Sequence, residues 1–118
     1  IEDSGCSNMA RVVGNDAAVI TIATISTIKQ HVFDLDATDP TVDLSNTALT
    51  VANVVFDTLQ TDARWTKDST GYNFRDDVDD TILSTGSNRY RFEYVFEPSS
   101  GAKFHVLFEI TALAITIT

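Results

Sequence analysis

The sequence predicts an all-β protein built as two antiparallel sheets packed face to face. Three observations carry this. Residues 89–110, RYRFEYVFEPSSGAKFHVLFEI, place aromatic and aliphatic residues at every second position on both sides of a turn. The stretch from Ala17 to Ala37 is dense in Ile, Val and Thr, residues whose branched side chains suit pleated strands. Turn signals rich in Gly, Pro, Asp and Ser separate these runs at short intervals.

The C-terminal ribbon is the most informative element. Strand residues two apart share a face, so Tyr90, Phe92, Tyr94 and Phe96 line one side and Arg89, Arg91, Glu93 and Glu97 the other. In the next strand Phe104, Val106, Phe108 and Ile110 oppose Lys103, His105 and Glu109. Pro98 to Ala102 turn the chain, with Gly101 suited to the left-handed position of a three-residue hairpin loop. Pairing Phe96 with Phe104 sets Tyr94 against Val106, Phe92 against Phe108 and Tyr90 against Ile110. The outer face then gains Glu97 with Lys103 and Arg91 with Glu109. A one-residue slip would lose roughly 1.5–3 kcal/mol per large side chain, whereas the exposed ion pairs contribute roughly 0–1 kcal/mol each. Burial therefore sets the register, and Pro98, which has no N–H to donate, disturbs only the loop.

Upstream, the Ala17–Ala37 stretch reads as two strands broken near Ser26 to Lys29. DATDP is a turn, because the residue before Pro40 must leave a ladder. TVDLSNTALTVANVVFDTL, which follows, has an ambiguous period compatible with a helical turn within Thr47 to Leu59. Asp68 to Gly71 form a turn before a strand in which Tyr72 and Phe74 alternate with Asn73 and Arg75; Asp76, Asp77, Asp79 and Asp80 end that strand in solvent. STGSN is a second turn, leading into the ribbon, and TALAITIT keeps a strand-like composition. A two-stranded ribbon cannot cover its own aromatic face, so the strands of residues 17–59 are the expected lid, with Trp65 between the sheets or at their edge. The expectation is an immunoglobulin-like antiparallel β-sandwich of about seven strands. Residues 1–16 form an irregular N-terminal arm and residues 17–118 a single β-sandwich domain.

Composition narrows function by exclusion. A chain of 118 residues, 43% hydrophobic and 21% charged, fits one folded domain. A net charge of −9 disfavours nucleic acid and anionic membranes as partners, leaving proteins, sugars or cations. One cysteine, Cys6, supports neither an internal disulfide nor a cysteine-based zinc site, and is expected to be an inert thiol. No run approaches the roughly 18 apolar residues that span a bilayer, and no charged-apolar-small signal opens the chain, so a soluble protein is expected. The first residue, Ile1, fits a processed product or part of a longer chain.

No constellation of reactive residues emerges. His31 and His105 are the only histidines, each in an alternating strand, and no G-x-S-x-G elbow is present. The acidic groups Asp34/Asp36/Asp39/Asp43 and Asp76/Asp77/Asp79/Asp80 lack the spacing of an EF-hand and read as solvated loop charge, with calcium the only cation chemistry they suggest. Trp65, Tyr72 and Tyr90 offer stacking faces for a sugar but read as core. No catalytic, cofactor-binding or metal-binding residue is assigned, and no cofactor is expected.

The order of VDLSNTALTVANVVFDTL, STGYNFRDDV and YRFEYVFEPSSGAKFHVLFEI resembles the small immunoglobulin-like modules of tailed-bacteriophage virions, such as upper-baseplate N-terminal modules and head or tail accessory proteins. The resemblance covers residues 30–114. It rests on a D-L-S turn at Asp43, Leu44 and Ser45, on Gly71 with Tyr72, and on a hairpin led by Tyr90 with its tip at Ser99 to Gly101. It implies a non-enzymatic structural protein of a virus particle, located in the virion's head, neck or tail and contacting other virion proteins and copies of itself, without nucleic acid or membrane. The alternative reading is an extracellular binding or adhesion module, calcium-assisted. An apolar, uncharged C-terminal segment lacks the lysines and bulges that blunt a sheet edge, so residues 111–118 or the 1–16 arm are expected to meet a neighbouring subunit.

Overall fold

The computed structural model describes residues 6–14, 17–78, 82–83 and 88–112. Asp79, Asp80, Ser84 to Ser87, residues 1–5 and residues 113–118, on which several of the expectations above bear, lie outside the described residues.

Among the described residues, seven strands form two antiparallel sheets. In chain order they are β1 (Cys6–Ala10), β2 (Ile25–Asp34), β3 (Asp43–Leu49), β4 (Val55–Gln60), β5 (Tyr72–Val78), β6 (Arg89–Pro98) and β7 (Phe104–Thr111). A single helical turn, α1 (Val51–Val54), precedes β4 inside the stretch whose period was ambiguous. One sheet has the order β1-β5-β4 and the other β3-β2-β6-β7. The chain changes sheet between β1 and β2, β3 and β4, and β5 and β6. The two sheets form a two-layer antiparallel β-sandwich.

The ribbon adopts the register that burial demands: Phe96 lies opposite Phe104, Tyr94 opposite Val106, Phe92 opposite Phe108 and Tyr90 opposite Ile110. Phe92, Tyr94 and Phe96 are fully buried, together with Ile28 and Val32 of β2 and Phe74 of β5. The Phe74 ring sits between the sheets, 4.9 Å from Tyr94, 5.4 Å from Phe96 and 6.4 Å from Phe108. On the outer face Lys103 approaches Glu97 at 3.8 Å. Arg91 stands opposite Glu109 in register, but its charge turns to Glu93 at 3.5 Å, and Glu109 meets Arg89 at 3.6 Å. The last ribbon pair is Phe96 with Phe104, so the loop is longer than the expected three residues. Pro98 pairs instead with Ile25 of β2, and Gly101 adopts φ +107° in the tip.

Four other expectations need correction. First, the lid is the β1-β5-β4 sheet, to which residues 17–59 contribute only β4; β2 and β3 lie in the same sheet as the ribbon. Alternation fixes which face of a strand is buried but not which strand lies beside it, and β6 accepts β2 on its other flank. Second, no break falls at Ser26 to Lys29. β2 runs through it with a register shift between Ile25 and Thr27, and the chain bends earlier, in a 3-10 turn at Ile22–Thr24. There Thr21 N–H donates to Thr24 Oγ1 at 3.0 Å. Third, the segment expected to be an irregular arm contains β1, paired with β5 from Cys6–Val78 to Ala10–Phe74. Fourth, Asp43, Leu44 and Ser45 open β3 and do not form a turn; Asp43 Oδ1 accepts the N–H groups of Val32 and Ser45, both at 3.2 Å.

Trp65 lies at the edge, in the β4–β5 loop. It is half-buried against Tyr72, with its Nε1–H donated to Asp68 at 3.0 Å. Asn73 is fully buried and ties the segment after β1 to the sandwich: its Oδ1 accepts Val12 N–H at 2.7 Å, and its Nδ2 donates to the carbonyls of Val12 and Ile20.

Candidate interaction surface

Two antiparallel sheets leave four edges, and their sequences treat these edges differently. Edge β1 is short, at five residues. Edge β4 pairs irregularly with β5, only Val55–Phe74 and Gln60–Tyr72 being in register. Edge β3 carries a shift opposite Val32 and Phe33. Edge β7 has none of these protections. Eight consecutive pairs bind it to β6 without a bulge, and the strand contains neither Lys nor Pro.

The direction of its free groups follows from one bond. Ala112 N–H donates to the carbonyl of Asn88 across the ribbon at 3.0 Å. Antiparallel pairing alternates, so the even-numbered residues of β7 turn their N–H and C=O toward β6, and His105, Leu107, Glu109 and Thr111 turn theirs away. On β6 the phase agrees, because Leu35 N–H donates to Arg89 O on the opposite side, at 2.8 Å. No described strand pairs with β7 along that outer side.

The side chains of β7 match an edge left to be covered. Phe104, Val106, Phe108 and Ile110, although on the core face, are only half-buried, whereas the facing row of β6 is completely so. The three-stranded sheet is one strand narrower than its partner. Leu107, on the outer face, is 56% exposed, the most of any large apolar residue among those described. At the start of β7 a cleft of about 580 Å³ separates the ribbon tip from residues 13–14 and 18–20. Its walls are mainly apolar, including Val19, Ile20, Ile25, Pro98 and Phe104.

The titratable residues weighed in the sequence are occupied structurally. His31 Nδ1 meets Asp43 Oδ2 at 2.5 Å, and His105 Nδ1 lies 3.5 Å from Glu93. The hydroxyl of Ser45, two residues from Asp43, is bonded to Gln30 and Thr47. Asp34 accepts from Asn88 and the Asp36 N–H. Asp36 accepts the Arg89 N–H and guanidinium, which hold its pKa below the ordinary value. Asp39 is lowered likewise by the hydroxyl and N–H of Thr41. The carboxylates of this acidic group thus diverge to separate protein donors, and among the described residues no cluster of three or more His, Cys, Asp or Glu is placed to hold a metal ion. Tyr72 and Tyr90 are buried, so neither ring offers a stacking face.

Asp76 departs most from its expected place. It is not in solvent but 7% exposed between the sheets, where Oδ2 accepts from Gln30 Nε2 and Tyr94 OH, both at 2.6 Å. Asn8 Nδ2 donates to the same Tyr94 oxygen at 2.9 Å. Burial pushes the Asp76 carboxyl above the ordinary carboxylate range, opposed by the two donors. Burial, and then the Asp76 charge, raise the Tyr94 hydroxyl and the Cys6 thiol in turn, which keeps that thiol protonated. Parity held the signal for this network: Asp76 lies at the same alternation as Phe74 and Val78.

No helix among the described residues is long and apolar enough to cross a membrane. No protein-family profile, curated protein or solved structure matches the chain.

Proposed function

We propose that this chain is a non-enzymatic structural module of a virus particle of the tailed-phage type, assembling through protein–protein contacts with other virion proteins and with copies of itself. The observation that carries the reading is the free edge of β7: long, regular, without Lys, Pro or a bulge, and backed by a half-covered apolar row. Such an edge is a template for a strand from another chain. The reading is further supported by the use of His31 and the buried acid in structural hydrogen bonds. The net charge of −9 argues in the same direction, since it keeps nucleic acid and anionic membranes away from the surface.

The test is direct. Particles purified from the source of the chain are analysed by quantitative mass spectrometry and labelled with an antibody to the folded domain. A fixed copy number per particle and a localised label are expected. Absence of the chain from particles, with recovery from the cell surface or medium, would replace this reading with the extracellular binding module.

A further inference from the structure

We propose that the partner on the β7 edge is a second copy of this chain, joined antiparallel about a two-fold axis at Leu107, so that two four-stranded sheets become one continuous sheet. The inference rests on the assembly reading above and names the partner and the register.

The register follows from self-complementarity. In a symmetric antiparallel pair centred on Leu107, that residue lies opposite its own copy, and the most exposed large apolar side chain of the described surface is covered. On the same face His105 lies opposite Glu109 of the second copy, twice by symmetry, an opposite-charge pair when the imidazole is protonated. His105 Nδ1 faces Glu93 of its own chain at 3.5 Å, which leaves Nε2 for the partner's carboxylate. On the core face Phe104 meets Ile110 and Val106 meets Phe108 of the second copy, joining the two half-buried rows. The outward backbone groups of His105, Leu107 and Glu109 are in phase to exchange about six hydrogen bonds. Other registers fit less well. A shift by one residue in either direction sets members of the apolar row against Glu109 and His105, which the two-residue period forbids. A shift by two in one direction sets Leu107 against Glu109; in the other it shortens the overlap and uncovers Ile110. The net charge of −9 on each copy opposes pairing at low salt, so association is measured at about 0.15–0.5 M ionic strength, where the Debye length is no more than about 8 Å.

Amide hydrogen exchange resolved by NMR, with molar mass from light scattering, tests this across a concentration series of the whole chain. The mass is expected to rise toward that of two chains. As it does, the amides of His105, Leu107 and Glu109 should slow about tenfold by the point where nine-tenths of the chain is paired. The even-numbered amides of β7, bonded within the chain, should be protected at every concentration. Leu107→Pro removes a donor only from the intermolecular ladder and should hold the protein at one chain, with the even-numbered amides still protected. Leu107→Lys, which leaves the backbone intact and sets two like charges on the axis, should do the same if the proline variant does not fold. Three results would overturn the proposal: a single-chain mass for the wild type throughout, association that leaves the odd-numbered β7 amides unprotected, or undiminished pairing of Leu107→Lys. In purified particles, protection of the same amides by a different virion protein would overturn the homotypic contact while sparing the assembly reading; absence from particles with dimerisation intact would do the reverse.

Discussion

Asp76 is a carboxylate held between two sheets by neutral donors alone, and its replacement separates the cost of its charge from the value of its hydrogen bonds. Asp76→Asn keeps an acceptor in the place of Oδ2, where Gln30 and Tyr94 both donate at 2.6 Å, and removes the buried charge. Asp76→Ala removes the acceptor as well. Tyr94 OH then has no described acceptor, and Gln30 Nε2 keeps only the longer contact to Tyr94 at 3.4 Å. A buried donor left unsatisfied costs roughly 1–3 kcal/mol, so the alanine variant should lose about 2–4 kcal/mol at pH 7. That is a large share of the roughly 5–15 kcal/mol typical of a domain.

The asparagine variant should stay within about 1 kcal/mol of wild type at pH 7, with a different dependence on pH. Because the folded pKa of Asp76 is raised above 3.8, the native state holds the proton more tightly than the unfolded chain. This group's contribution is therefore most favourable below pH 3.8 and declines as the pH rises toward its native value, with a slope of at most about 1.4 kcal/mol per pH unit. Urea denaturation of both proteins from pH 4 to 7 measures this, and the difference, variant minus wild type, cancels the opposite slopes of Asp36, Asp39 and Asp68. The difference should grow in favour of asparagine as the pH rises. A flat difference, or an asparagine variant as unstable as alanine, would show that the buried charge of Asp76 carries no separable cost.

Further predictions concern the core, the turns and the β4–β5 loop. Phe74→Ala opens a cavity among Tyr94, Phe96 and Phe108 and should cost about 3–5 kcal/mol by urea denaturation. Gly71→Ala should cost more than Gly101→Ala, although both have φ near +105°. At Gly71 a Cβ would lie 2.5 Å from the Gln60 carbonyl oxygen, whereas at Gly101 nothing lies within 4 Å and only the backbone preference of about 1–2 kcal/mol applies. Asp68, which accepts from Arg11, Trp65, Thr70 and Gly71, has its pKa lowered first by Arg11 and then by Trp65. Its contribution is present above pH 3.8 and is lost as the pH falls below it. Trp65 fluorescence should report that loss, and Asp68→Ala should abolish the acid transition in the signal.

The ribbon was legible because its period-two pattern is strong and the alternative register would set a whole row of rings against polar groups: Phe92 cannot be buried beside Glu109, nor Phe96 beside Lys103. The helical turn at Val51–Val54 was legible as an ambiguity, since neither parity there is polar. What escaped has physical reasons. Strand β1, Cys-Ser-Asn-Met-Ala, contains no β-branched or aromatic residue, and its place is fixed by pairing with β5 and by Asn8 reaching Tyr94. The neighbour of β6 escaped because alternation specifies faces, not adjacency. Asp76 was misplaced because four aspartates within five residues suggest solvent, although its parity with Phe74 points inward. Of the interaction surface, the sequence pointed to residues 111–118, of which 113–118 lie outside the described residues, while the edge of β7 itself required knowing that β7 ends its sheet.

The most direct measurement of the central claim is a reconstruction of the assembled particle at a resolution that separates strands. A neighbouring strand is expected about 4.8 Å from β7, along the side of His105, Leu107 and Glu109. A particle in which that edge faces open solvent, while this chain is held by other surfaces, would contradict it.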